Sequence, residues 1–152
     1  MDYATLTQLT ERYAERDLRL ITDPDAQALD AGRAAQALAD AAAEIDAWLD
    51  RRYVLPLVHV DSGEQMAAPM VLVRCACDIA IYRMQTLRPA DDVKDARQRY
   101  EDVVKLLKAI GCGDVSLPGA KLRADVADNP ASQSAGMPQF GQPPSLFGRR
   151  NR

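Results

Sequence analysis

The stretch from Glu44 to Leu57 constrains the fold most. It is the end of a long alanine-rich helix that runs straight into an extended exit. Ala34, Leu38, Ala41, Ala42, Ile45, Trp48 and Leu49 recur at helical spacing and form one apolar stripe. Asp40, Glu44, Ala47 and Arg51 fall on the opposite face, and Arg52 projects from the stripe one turn beyond Trp48. The helix cannot pass Val54-Leu55-Pro56-Leu57, because Pro56 lacks an N–H and pushes Leu55 to an extended conformation. The only tryptophan, Tyr53 and the aliphatic residues of the exit therefore meet at one corner, around which other helices can pack.

The rest of the chain up to Pro118 reads as further helices. Thr5 caps a short first helix carrying Leu6, Leu9 and Tyr13, and Leu18, Leu20 and Ile21 mark a second. Thr22-Asp23-Pro24-Asp25 is a turn, and Asp30 caps the long helix, expected over Ala31 to Arg52. His59 to Glu64 is a polar loop flanked by a strand-like pair of short segments. Pro69 opens a helix from Met70 to about Leu87 that is apolar almost all round. Its polar stripe is only Arg74, Asp78 and Gln85, with Arg83 on the far side. Such a helix is central, or is covered by a partner. After the break at Arg88 to Asp92, Val93, Ala96, Tyr100, Val103, Val104, Leu107 and Ile110 form a clean stripe, which Gly111 terminates. The fold class is therefore all-α: a small bundle of about four or five helices over residues 1–118, with an extended tail over 119–152.

From Asn129 onward the chain is rich in Pro, Gly, Ser and Gln without aliphatic periodicity, a composition that does not order by itself. Both phenylalanines, Phe140 and Phe147, nevertheless lie there, beside Arg149 and Arg150. One reading is a free end. The other is a docking segment with aromatic anchors and a basic rim. Residues 129–152 hold three arginines and no acid, which leaves −6 on residues 1–128 out of a total of −3. An acidic body argues against a protein whose main work is gripping phosphates. No apolar run suits a membrane span, and the first residues lack the pattern of a signal peptide, so a cytoplasmic protein is expected.

The chemistry-bearing residues are few. His59 is the single histidine and sits in the loop, with no nucleophile motif, phosphate loop or zinc-protease motif in the chain. Cys75, Cys77 and Cys112 have neither redox nor zinc spacing and read as buried reduced thiols. Asp46, Arg52, Asp78 and Arg83 are the one polar constellation. They read as ion pairs locking helix register or, alternatively, as an acid pair for catalysis or metal. The first is favoured, so no enzyme activity, metal or cofactor is expected.

The order of the motifs carries a resemblance. Tyr3-x-x-Leu6-x-x-Leu9, Ala43-Glu44-Ile45-Asp46, Arg52-Tyr53-x-Leu55-Pro56-Leu57, Asp78-Ile79-Ala80-x-Tyr82, Arg99-Tyr100 and the Gly113 to Leu117 segment together resemble the Mu-like phage and prophage structural proteins. These are grouped with the head–tail connectors, or head-completion proteins, of tailed phages. The resemblance implies a helical body tiled as a ring of about 12 copies below the portal. It implies a tail or tail-completion protein as the second partner and DNA passing without sequence-specific contact. It places the protein in the host cytoplasm during assembly and at the head–tail junction of the virion. It transfers no catalytic residues. Ile45, Trp48, Leu49, Tyr53, Leu55, Pro56, Leu57, Ile79 and Tyr82 are its expected fold motif. A small helical adaptor or regulator unrelated to virions is the other reading.

Overall fold

The computed structural model describes residues 1–22, 28–86 and 93–128. The turn expected at Asp23, the break at Pro89 and the tail candidates Phe140, Phe147, Arg149 and Arg150 lie outside them. The described residues form six helices and no strand: α1 (Leu6–Arg12), α2 (Glu15–Thr22), α3 (Ala31–Leu49), α4 (Met70–Thr86), α5 (Val93–Cys112) and the single turn α6 (Ala124–Ala127). The all-α reading holds.

Local chemistry sets the helix starts. Thr5 Oγ1 accepts from the Gln8 N–H while the Gln8 side chain accepts from the Thr5 N–H, closing a reciprocal cap on α1. Asp30 accepts from the Arg33 N–H at 3.0 Å and starts α3. The α3 stripe is buried as its spacing demands, through Ala34, Ala37, Leu38, Ala41, Ala42, Ile45 and Leu49. Four alanines on that face let α4 approach closely, and α3 with α4 is the most extensive helix pairing. On α2, Leu18 is buried but Leu20 is 53% exposed, because residues two apart cannot share one helix face.

Helix α4 is the centre of the bundle. Leu72, Val73, Cys75, Ala76, Cys77, Ile79, Ala80, Ile81 and Met84 are all buried, and α1, α2, α3 and α5 pack around it. Its all-round apolarity is thus met inside one chain and does not call for a neighbouring copy.

The corner after α3 differs in detail. Helix α3 stops at Leu49 instead of Arg52: the N–H groups of Arg52 and Tyr53 both turn back to the Leu49 carbonyl. A cis peptide joins Leu55 to Pro56. Ile45, Leu49, Tyr53, Leu57 and Ile79 are buried, Trp48, Leu55 and Tyr82 are half-buried, and Pro56 faces solvent. The strand-like pairing appears as isolated antiparallel bridges, Val58 with Gln65, His59 with Ala120 and Tyr53 with Leu122.

Two of these bridges move the domain boundary. The Lys121 and Arg123 N–H groups reach the Val58 and Arg52 carbonyls, and Val54 and Val60 donate back to Lys121 and Gly119. The Tyr53 hydroxyl accepts from the Leu117 N–H at 2.9 Å in a buried site. Residues 119–123, grouped above with the tail, are fastened to the body, because these backbone groups find their partners on the α3 exit.

Glycine 111 does not end α5. It lies inside the helix, where a Cβ would stand 2.8 Å from the Trp48 carbonyl oxygen, so its bareness sets how closely α3 and α5 approach. The helix stops at Gly113, with φ +93° and its N–H returned to Ala109.

Candidate functional site

Asp46, Arg52, Asp78 and Arg83 do not pair with one another. Asp46, on α3, accepts from the Tyr3 hydroxyl at 2.5 Å through Oδ1 and from the Met1 amino group at 3.0 Å through Oδ2. Asp78, on α4, accepts a short hydrogen bond from the Tyr13 hydroxyl. Arg83 was expected to be buried, yet its side chain is 47% exposed and donates to Glu44 at 2.8 Å. Arg52 is buried as expected, with its guanidinium under Gly113. The physical reason is reach: the tyrosines project their hydroxyls across helix interfaces, so the acids take phenols and leave the arginines elsewhere.

Glu44, assigned above to the outer face, is the junction of three helices. Its side chain is 17% exposed. Oε1 accepts from the Tyr100 hydroxyl of α5 at 2.8 Å and Oε2 from Arg83 of α4. Tyr82 stacks on Tyr100 with centroids 4.3 Å apart and planes at 13°. All five tyrosines of the chain are therefore fasteners between segments. Sequence reasoning missed this role for Tyr3, Tyr13 and Tyr100. The available signal was five tyrosines against two phenylalanines in a chain poor in aromatics, since a tyrosine at a core position needs a partner for its hydroxyl.

These bonds tune the phenols. Burial raises the Tyr3 and Tyr13 pKa values, and the hydrogen bond to Asp46 or Asp78 and the carboxylate charge push the same way. Burial and the Glu44 hydrogen bond raise Tyr100 as well. The unfolded chain releases its phenolic protons near pH about 10, whereas the folded chain keeps them. A raised folded pKa contributes stability that is full below the unfolded value and is lost as pH climbs above it. The melting temperature should accordingly fall steeply above about pH 10, and Tyr3→Phe with Tyr13→Phe should flatten that fall. Thermal unfolding followed by circular dichroism between about pH 8 and pH 11 checks it, and an unchanged slope in the double variant would refute it.

The thiols split. Cys75 and Cys77 are buried, and burial pushes each thiol up to about 11. Cys112 is exposed, against expectation. His59 is exposed beside its bridge to Ala120. Among the described residues no group of three or more His, Cys, Asp or Glu is placed to hold a metal ion, and no helix is long and apolar enough to cross a membrane.

One concave surface stands out. The polar stripe of α4 opens into a cleft of about 720 Å³ shared with α1 and α5, lined by Arg12, Tyr13, Arg74, Asp78, Arg99 and Asp102 among others. The Arg99 guanidinium lies 5.7 Å from the centre of the Tyr13 ring. Arg12, Arg74 and Arg99 are exposed, and none of them makes a salt bridge among the described residues.

Comparison with known proteins decides the family: the one described as Bacteriophage Mu, Gp36 matches residues 3–136. The chain belongs to that family. It is 33% identical over 155 aligned positions to "Gene product J" of Escherichia phage Mu, covering 100% of this chain and 98% of the relative. It is 40% identical over 116 residues to the "Mu-like prophage FluMu protein gp36" of Haemophilus influenzae, covering 76% of this chain and 74% of that one. The resemblance read from the motifs is thereby shown, and the matched region takes in Glu44, Asp46, Asp78 and the cleft arginines.

Proposed function

We propose that this Mu Gp36 family member is a head–tail connector, assembling as a ring of about 12 copies below the portal and docking the tail or its completion protein. The observation that carries the reading is the use made of the acids. Glu44, Asp46 and Asp78 are each bound to a tyrosine hydroxyl from another segment. Such bonds make a stiff block suited to tiling, and the reading involves no reaction, metal or cofactor. The acidic body suits a channel wall that lets DNA pass without holding it. The protein would gather in the host cytoplasm and end at the head–tail junction of the virion.

Native mass spectrometry and electron-microscope class averages of the full chain, alone and with portal, test the reading. Closed rings capping the portal are expected. A monomer or dimer at every concentration, with portal or without, would favour the unrelated helical adaptor. Strong salt-sensitive binding to duplex DNA would contradict the channel wall.

The tail enters as a docking segment. Deleting residues 138–152 removes Phe140 and Phe147 together with the terminal arginines. The truncated chain should keep its helical circular dichroism and melting temperature but lose affinity for the assembly by on the order of 10-fold. Unchanged assembly would remove the role.

A further inference from the structure

The geometry points to the cleft between α1, α4 and α5 as a receptor for the acidic hairpin at residues 58–65 of a neighbouring copy, which gives the proposed ring its repeating contact. This rests on the ring reading and specifies its interface.

The hairpin is a built turn, tied along one side to residues 119–121. Val58 and Gln65 bridge its base, and the His59 N–H reaches the Glu64 carbonyl at 2.9 Å. At its turn Gly63 has φ +70°, and nothing lies within 4 Å of where its Cβ would be. The turn shows Val60, 57% exposed, followed by two exposed acids, Asp61 and Glu64. Neither acid makes a salt bridge among the described residues.

The cleft offers the converse. Arg12, Arg74 and Arg99 surround a floor that includes the Tyr13 ring and half-buried Leu106. An exposed valine with two carboxylates following it therefore meets a partly apolar floor edged by three guanidinium groups, so that apolar contact and opposite charge coincide. Arginine suits this work, because its planar fork binds a carboxylate through two parallel hydrogen bonds. Asp78 is engaged by Tyr13 and Asp102 by Lys105, which leaves the three arginines for the two carboxylates of the hairpin, while the acidic body disfavours a run of phosphates.

The charge pattern also fixes the symmetry. Cleft against cleft would set arginines against arginines, and hairpin against hairpin would set acids against acids. Only cleft against hairpin attracts, and that head-to-tail contact makes a ring when the rotation closes.

Two exposed double variants test the contact: Arg74→Glu with Arg99→Glu, and Asp61→Lys with Glu64→Lys. Each full-length variant should keep the helical circular dichroism and melting temperature of the parent, yet lose ring formation by at least on the order of 10-fold in protein concentration, alone or on portal. An equimolar mixture of the two should restore rings, because every interface then joins opposite charges again. Rings of parental strength from either variant alone would overturn the contact while leaving the ring reading standing. Failure of the mixture to restore rings would overturn it too, and a parallel loss of duplex-DNA binding in the cleft variant would then assign the arginines to phosphates. Absence of rings from the parent chain, with portal present, would remove the ring reading and this contact together.

Discussion

Gly113→Ala should destabilise the protein by about 3 kcal/mol, lowering the melting temperature by roughly 10 °C. Two separate costs meet at this position. The backbone is at φ +93°, where an L side chain loses about 1–2 kcal/mol to the clash of its Cβ with the following carbonyl. The added carbon would also stand 2.7 Å from Cζ of Arg52. That guanidinium belongs to a buried residue, 8% exposed, and moving a buried charge from its place is costly. Gly63→Ala is the control. Its φ is +70° with open space around the missing Cβ, so it should show the backbone cost alone, about 1 kcal/mol. The two effects separate in a cycle: with Arg52→Ala already present, Gly113→Ala should cost no more than Gly63→Ala does. Urea unfolding of the parent and these four variants measures this. Equal losses at Gly113 and Gly63 in the parent would mean that Arg52 yields freely and that the close packing at the end of α5 is soft.

Position 113 also marks where reading the sequence succeeds and where it stops. The helices were legible because the stripes of α3 and α5 repeat every three to four residues, and burial of Ala34, Leu38, Ile45 and Leu49 follows from spacing alone. The caps at Thr5 and Asp30 were legible for the same local reason. What was not legible depends on contacts distant in sequence. Gly111 and Gly113 look equivalent as helix stops, and only the approach of Trp48 and Arg52, about 60 residues earlier, gives each its task. Asp46 and Asp78 stand out in the sequence, but a charge pattern suggests arginine as the partner. Nothing local shows that Tyr3 and Tyr13 arrive first, from residues far away along the chain. Glu44 was set on the outer face because a helical wheel shows one helix at a time, while α4 and α5 both reach around α3 to meet it. The attachment of residues 119–123 escaped notice because single backbone bridges leave no hydrophobic period.

Glu44→Ala should cost about 2–3 kcal/mol, far more than removing any acid from an exposed pair on α5. Glu101 and Asp102 make pairs with Arg97 and Lys105 one turn away, and all four side chains are at least 45% exposed. Their loss should cost only about 0.5 kcal/mol, since water screens such pairs and long side chains resist being held. Glu44 differs in burial and in reach. It accepts from two helices at once, and hydrogen bonds to an ionised group contribute about 1.5–3 kcal/mol each when shielded. The Arg83 arm must be discounted because its guanidinium is half in solvent, so the larger share belongs to Tyr100. The stack of Tyr82 on Tyr100 survives the substitution, which holds the loss below that of a core truncation. A cycle with Tyr100→Phe isolates that arm: the two changes together should cost about 1–2 kcal/mol less than their separate sum, while Arg83→Gln should couple to Glu44→Ala by under about 1 kcal/mol. Additive effects at Glu44 and Tyr100 would show that the phenol holds nothing and that apolar packing alone sets α5 against α3. The outcome reaches the cleft as well. Arg99 rides on the same helix one residue before Tyr100, so an α5 released from Glu44 should weaken ring formation even though no residue at the proposed contact has changed.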